Sequence, residues 1–109
     1  MKTKNYSLDD VCTLLNFEIK TNNIGVETKE IIECREVYCT RESINRSEFY
    51  QAEKHNIKAE LKLIMLEEEY QKEEELIYND KKYKIYKTYV LDKYIELYCE
   101  AIEWKIVII

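Results

Sequence analysis

The segment IYNDKKYKIYKTY, residues 77–89, decides the fold class because two turn-forming residues separate two alternating apolar runs. Asn79 and Asp80 tolerate the left-handed backbone conformation that a tight hairpin turn requires. After the turn the residues alternate between two faces with the period of a β-strand. The segment therefore predicts a β-hairpin, and the residues expected on one face of its second strand are Tyr83, Ile85, Lys87 and Tyr89.

A second hairpin is predicted directly after the first, with its turn at Asp92 and Lys93 and its last strand over residues 94–103. Two consecutive hairpins form a meander, which in a small domain usually closes into a barrel or a sandwich. The second half of the chain therefore predicts a mainly β fold. One face of the last strand is expected to carry Ile95, Leu97, Cys99 and Ala101, and the other Tyr94, Glu96, Tyr98 and Glu100.

The first half of the chain predicts two further strands. Residues 11–19 and 31–44 are expected to be strands, and residues 21–25, which hold the single glycine, are expected to form a turn. Residues 1–9 are expected to form a flexible N-terminal arm, of which residues 1–7 are either frayed or dock only on a partner. With 109 residues the chain is expected to form one domain, 1–109.

Residues 45–56 carry the pattern of one short helix. Asn45 is a candidate N-cap and Glu48 lies three residues later, which approximates a capping box. The following segment is ambiguous, because residues 58–70 fit the period of a strand as well as that of a helix. The good helix formers in it leave one long helix over residues 58–78 as an alternative.

Composition limits the classes of partner. The formal net charge is −5 and no cluster of lysine and arginine dominates, so sequence-specific binding to duplex DNA is not expected. No apolar run approaches the ~20 residues that span a bilayer, so no membrane role is expected. The short apolar tail, residues 104–109, is expected to be a closing strand or an oligomer contact. Ten tyrosines suit half-buried sheet surfaces and interfaces.

The sequence offers no constellation that predicts catalysis, a metal site or a bound cofactor. Its single histidine, His55, lies among polar residues of the predicted helix, and one glycine cannot form a phosphate-binding loop. The cysteines include no C-x-x-C pair, and the first ten residues carry no apolar signal segment. We expect no enzyme activity, no zinc and reduced thiols that fill core space at Cys12, Cys34, Cys39 and Cys99. On one strand, Cys34 and Cys39 would point to opposite faces.

Three segments resemble the head–tail joining, or head-closure (stopper), proteins of tailed bacteriophages. The first is SEFYQA at residues 47–52, followed after a polar spacer by AELKL at residues 59–63. The second is the hairpin 77–89, and the third is IELY at residues 95–98. Their order and spacing are similar to that family over about residues 30–102, which is most of the chain.

The resemblance implies a small antiparallel β-barrel with a long excursion, carrying one short α-helix, between two central strands. It implies that residues 58–67 form a strand, which decides between the two interpretations of that segment. The family usually has glycine in the hairpin turn, where this chain has Asp80, so the turn departs from the family pattern.

The resemblance also implies a structural protein of the virion, located at the head–tail interface and made in the host cytoplasm. Such subunits form a ring below the portal and its adaptor, retain packaged DNA and provide a docking surface for the tail. The implied partners are further copies of the chain, portal or adaptor proteins and tail proteins, with passive proximity to DNA. Two alternatives stay open: another connector or tail-terminator subunit, and a regulatory binding protein of helical fold.

Two regions are expected to bind partners. The excursion 43–57 offers Phe49 and Tyr50 as candidate anchors, and the alternative is that Phe49 and Ala52 cover the open end of the barrel. A basic hairpin with Lys81, Lys82, Lys84 and Lys87 is expected to meet an acidic loop, with glutamates at 67–69 and 73–75, across a subunit or partner boundary. Ordinary solvated surface is the alternative for both charged regions. The predicted interface residues are Ser47, Glu48, Phe49, Tyr50, Lys82, Lys84, Tyr86 and Tyr98.

Overall fold

The structure, a computed structural model, describes residues 5–102 and is mainly β. Within this range six strands and one α-helix follow in the order β1 (Asp10–Thr21), β2 (Glu27–Glu42), α1 (Arg46–Lys54), β3 (Leu61–Leu66), β4 (Glu75–Tyr78), β5 (Lys81–Leu91) and β6 (Tyr94–Ala101). A short 3-10 helix, Glu67–Glu69, separates β3 from β4. The alternative of one long helix over 58–78 is therefore wrong. The helical fold that accompanied the regulatory-protein alternative is wrong as well, because the described residues are mainly β.

The strands pair antiparallel into one sheet that closes on itself. Around the ring the order is β1-β2-β3-β6-β5-β4, and the pairing of β1 with β4 completes it. The pairings differ greatly in length. β1 and β2 pair along nearly their whole length, whereas β2 and β3 pair only over Thr40–Glu42 and Lys62–Ile64. The predicted antiparallel, mainly β fold with one helix is confirmed.

The interior of the closed sheet is apolar. Leu63 and Met65 of β3, Leu76 of β4 and Leu97 of β6 are fully buried and lie in one cluster. Fully burying one such side chain contributes ~1.5–3 kcal/mol, so the cluster is the main source of stability. Its other members are Cys12, Leu14, Val37, Cys39, Leu61, Tyr78, Tyr83, Ile85, Ile95 and Cys99.

A bulge in β5 changes the faces that the sequence predicted. Tyr83 and Ile85 are buried inside the sheet, but the register against β6 shifts between Ile85 and Lys87. Because the bulge inserts one residue, Lys87 and Tyr89 lie on the outer face, where Lys87 pairs with Tyr98. Their predicted position beside Tyr83 and Ile85 is therefore wrong.

Strand β6 has the predicted inner face, and its outer face is partly covered by the N-terminal segment. Leu97 and Cys99 are buried inside, while Ala101 at the end of the strand is exposed. On the outer face, Tyr94 contacts the Tyr6 ring edge-on at 4.9 Å, and its hydroxyl oxygen accepts from the Tyr6 backbone N–H at 3.2 Å. Tyr6, which lies in the segment expected to be frayed or to dock only on a partner, thus contacts β6 of its own chain. Residues 1–4, like the tail 104–109, lie outside the described residues.

Two of the hairpin turns show how the chain turns with a single glycine. Asn79 and Asp80 both have positive φ, 50° and 62°, which is the requirement of a type I′ turn. Asp80 thus adopts the positive φ that glycine would supply in the family that the chain resembles. In the β1–β2 turn Gly25 has φ 83°, and the Asn22 side chain accepts from the Val26 N–H at 2.9 Å.

The β1–β2 hairpin projects from the closed sheet as an arm. Both strands are longer than predicted, and beyond a bulge near Asn16 they continue as a two-stranded ribbon. We call residues 16–33 the arm. Every residue from 18 to 33 is exposed. The described structure is elongated, with dimensions of 57 × 30 × 25 Å.

Candidate partner-binding surfaces

Helix α1 is held against the outer face of β5 by one buried carboxylate. Glu48 pairs with the Lys87 ammonium and accepts a hydrogen bond from the Tyr86 hydroxyl at 3.0 Å. Burial and this hydrogen bond raise the pKa of Tyr86, so its phenol stays protonated and donates. A hydrogen bond to a charged group contributes ~1.5–3 kcal/mol, which is enough to fix the orientation of a two-turn helix.

The start of α1 is capped as the sequence predicted, but only in part. The Asn45 side chain accepts from the Glu48 backbone N–H at 2.8 Å, so Asn45 is the N-cap. In a complete capping box the Glu48 side chain would also accept from the Asn45 backbone N–H. Here the Glu48 carboxylate contacts Lys87 instead. The helix ends at Lys54, and His55 is its exposed C-cap.

A row of paired groups continues from α1 across the outer face of the sheet. The Lys87 ammonium lies 4.9 Å from the centre of the Tyr98 ring, and the Tyr98 hydroxyl donates to Glu96 at 3.0 Å. Lys62 bridges Glu96 at 3.3 Å and Glu42 at 3.2 Å. Burial opposes the charge on Lys62, but the two carboxylates raise its pKa overall. Glu48 thus attaches the excursion to β5, and the other contacts connect β2, β3, β5 and β6 within one subunit.

The structure exposes four of the eight predicted interface residues and buries or half-buries the other four. Phe49 and Tyr50 are 43% and 63% exposed on α1, and Phe49 lies outside the buried cluster of the closed sheet. Glu48 and Tyr98 are buried and contact residues of the same chain. Lys82 and Tyr86 are half-buried and also contact carboxylates of the same chain. The exposed members of the set are Ser47, Phe49, Tyr50 and Lys84.

The acidic loop is held by Arg35 of β2. The Arg35 guanidinium binds the Glu73 carboxylate at 2.6 Å and the Glu69 carbonyl oxygen at 2.8 Å. The Glu73 side chain is only 3% exposed. Burial, together with the charge of Glu73, raises the pKa of nearby Tyr70 to about 12. Arg35 thus binds Glu73 within the subunit, and the expected contact of the acidic loop across a subunit or partner boundary stays a prediction for its exposed glutamates.

Glu75 connects the arm to the basic hairpin. Its carboxylate contacts Lys82 at 3.0 Å and also contacts Lys29 of the arm. Both ammonium groups lie over the Phe17 ring, at 5.4 and 4.1 Å from its centre. Burial opposes ionisation of Glu75, but the two lysines lower its pKa overall. A glutamate of the predicted acidic loop and a lysine of the basic hairpin thus meet, but within one chain.

Three cysteines lie in the interior and one lies on the surface. Cys12, Cys39 and Cys99 are buried, while Cys34 is exposed on β2, so its predicted core position is wrong. All four are free thiols, and Cys34 and Cys39 point to opposite faces as predicted. A hydrogen bond with the Cys39 thiol and burial raise the pKa of Cys12, and burial raises that of Cys99 to about 12. The thiols of Cys12 and Cys99 therefore stay protonated at neutral pH and are poor nucleophiles.

Among residues 5–102 no group of three or more His, Cys, Asp or Glu side chains is placed to hold a metal ion. In the same range neither helix has the length and apolar character that crossing a bilayer requires.

The arm is a candidate surface that sequence reasoning missed. Its exposed apolar side chains have fractional exposures between 48% and 84%. A signal for it was present, because a total of five apolar residues lie in or near the first turn without an alternating pattern that would bury them together. These residues are Ile19, Ile24, Val26, Ile31 and Ile32.

Comparison of the sequence with models of protein families gives no match, and comparison with curated proteins gives none either. The resemblance to head-closure proteins therefore rests on the residues of this chain.

Proposed function

We propose that this chain is a structural subunit of a tailed-phage virion, a head-closure connector protein. Copies assemble into a ring below the portal and adaptor, retain the packaged DNA and provide the docking surface for the tail. The proposal is carried by one observation: a short helix lies between β2 and β3 of an otherwise antiparallel closed sheet. That arrangement agrees with the fold that the resemblance implies, and we propose that the closed sheet is the small β-barrel of that family.

The excursion supplies the surface for the adaptor. Phe49 and Tyr50 are exposed on α1, while Glu48 between Ser47 and Phe49 fixes the helix to β5. Aromatic side chains presented by a rigid support lose little conformational entropy on binding and are common at the centre of interfaces. A fixed α1 therefore favours docking of these two rings on a preformed partner surface.

The charge of the chain suits passive proximity to DNA. A formal net charge of −5 repels the phosphate backbone on average, so a ring of such subunits would let DNA pass without holding it. The purified protein should give no duplex binding in a low-salt mobility-shift assay. Tight binding that weakens steeply with added salt would contradict this part of the proposal.

The function is tested in the phage that encodes the chain. Particles made without this protein should package DNA, then lose it and lack attached tails, and supplying the protein in trans should restore them. Mass spectrometry of purified wild-type particles should detect the chain. Particles that are made without this protein but still have tails and retain DNA would contradict the proposal. Stable filled heads with tails of abnormal length would instead favour a tail-terminator subunit.

A matched pair of variants on α1 tests the adaptor surface. Phe49→Ala should lower the free energy of unfolding by no more than ~1.5 kcal/mol, because only about half of this side chain is buried. Its incorporation into heads should fall, while Gln51→Ala on the same helix should behave as wild type. A loss of ~3 kcal/mol or more in Phe49→Ala would instead make Phe49 a packing residue.

A further inference from the structure

Two long strand edges of the closed sheet have no partner strand among the described residues. β2 pairs with β3 only at Thr40–Glu42, so residues 27–39 present an unpaired edge on that side. β5 pairs with β4 only at Lys81–Lys84, so residues 86–91 present a second unpaired edge. An exposed edge carries a row of free N–H and C=O groups, and these can pair with a strand of another chain.

Both edges carry exposed apolar side chains. On the arm, Ile19 and Ile31 lie on one face of the ribbon, since Ile31 pairs with Phe17 and Ile19 with Lys29. They are 66% and 51% exposed. At the other edge, the last part of β5 exposes Tyr89, Val90 and Leu91. Apolar groups beside free edges favour strand addition, because pairing the backbone also removes them from water.

The segments that surround the two edges carry opposite net charge, although the only lysine within 86–91, Lys87, already pairs with Glu48. Residues 16–33 contain four glutamates and two lysines, and residues 81–93 contain five lysines and one aspartate. Both arm lysines already pair within the chain, Lys20 with Glu30 and Lys29 with Glu75. The exposed glutamates of the arm that have no ion pair among the described residues are Glu18, Glu27 and Glu33, and their counterparts near β5 are Lys81, Lys84 and Lys93.

We propose that the arm of one copy adds its β2 edge to the unpaired edge of β5 in the next copy. The contact joins two different patches, so each copy offers an arm and accepts one, and repetition builds a ring or a chain. This deepens the proposed connector function, on which it rests, by naming the surfaces between subunits. It also replaces the acidic loop, which Arg35 holds inside the subunit, with the arm as the partner of the basic hairpin.

Complementary charge reversals test this contact in the full-length protein. One variant carries Glu27→Lys with Glu33→Lys on the arm, and the other carries Lys84→Glu with Lys93→Glu beside β5. Association is measured by light scattering after gel filtration and by analytical ultracentrifugation. Each double variant should associate about tenfold or more weakly than wild type, because every contact then joins like charges.

An equimolar mixture of the two variants is the decisive measurement. The arm of each variant then meets a β5 edge of opposite charge on the other variant, so mixed assemblies should form with nearly wild-type affinity. If the Lys84→Glu, Lys93→Glu variant associates normally alone, the arm binds another surface and the proposal is overturned. A mixture that stays dissociated overturns it as well.

Variants at apolar residues test the contact independently of charge. Ile19→Thr with Ile31→Thr should weaken association about tenfold, while Val11→Thr with Tyr38→Thr, an exposed pair at the base of the same ribbon, should not. Wild-type protein that stays monomeric at its highest soluble concentration would overturn the arm contact. That result would not contradict the connector function, which the experiment on phage particles tests separately. Failure of the arm contact and failure of the connector function are therefore distinguishable.

Discussion

The two ends of the β1–β2 hairpin have the same backbone pairing and opposite surroundings. At the base, Cys12 pairs with Val37 and both side chains are buried in the closed sheet. In the arm, Ile19 pairs with Lys29 and both are exposed. Pairing alone therefore does not decide what a strand contributes. The base stabilises the fold, because it removes apolar surface from water, whereas the arm leaves its apolar surface available to another molecule.

The bulge near Asn16 marks the boundary between these two parts. Below it, β1 has neighbours on both sides, since Leu14 and Leu15 pair with β4 as well as with β2. Above it, β1 pairs only with β2 in the described structure. A two-stranded ribbon without a second layer is marginally stable in water, so the arm depends on the base for its order.

The largest effect should separate the base from the arm. Leu14→Ala should lower the free energy of unfolding by ~2–5 kcal/mol, because it leaves a cavity in the buried cluster. Ile19→Ala should change it by less than ~0.5 kcal/mol, because that side chain is exposed. Urea unfolding followed by circular dichroism in dilute solution measures both. Equal losses in the two variants would mean that the arm packs on its own subunit.

A smaller effect is expected where the hairpin base meets the acidic loop. Arg35→Ala should cost ~3 kcal/mol, because the buried Glu73 carboxylate loses its charged partner. Arg35→Ala combined with Glu73→Gln should recover part of the loss, since no buried charge is then left unpaired. Hydrogen exchange at residues 67–74 should quicken in the single variant. A double variant no more stable than the single one would show that the ion pair is not the cause.

The smallest effect concerns pH and the junction of arm and basic hairpin. Lys29 and Lys82 lower the pKa of Glu75 below its ordinary value of 4.5, although burial opposes this, so the folded state binds fewer protons than the unfolded state. The contribution of Glu75 to stability is therefore present above pH 4.5 and lost as the pH falls through the folded-state pKa. Glu75→Gln should be less stable than wild type at neutral pH, and the difference should vanish in acid. A constant difference would exclude the titration of Glu75 as its source.

Several expectations about the fold followed from the sequence because they depend on local chemistry. The turn at Asn79 and Asp80 was predicted since few residues adopt positive φ readily. The inner face of β6 was predicted from strict alternation, and Asn45 was predicted as a cap from its side-chain oxygen. The strand β3 was decided by resemblance, because its residues fit two periods.

The candidate site was predicted less well, because long side chains of distant segments meet there. Nothing in the local sequence indicates that Glu48 contacts Lys87, 39 residues later, instead of its own helix N-terminus. Tyr98 was expected at an interface, yet Lys62 and Lys87 lie over its ring within the subunit. Such contacts depend on how the sheet curves and where β5 bulges, and neither has a signature in one sequence.

By itself the sequence determined the class of this protein: a mainly β chain with two tight hairpins, one capped helix and a net charge of −5. Those features depend on backbone preferences, side-chain period and composition, which are local or additive quantities. Only the tertiary structure decided which glutamates are bound inside the subunit, such as Glu73 and Glu75, and which stay exposed on the arm, such as Glu27 and Glu33. The physical reason is that charge pairing and burial depend on distances between segments far apart in the chain, and the closure of the sheet sets those distances.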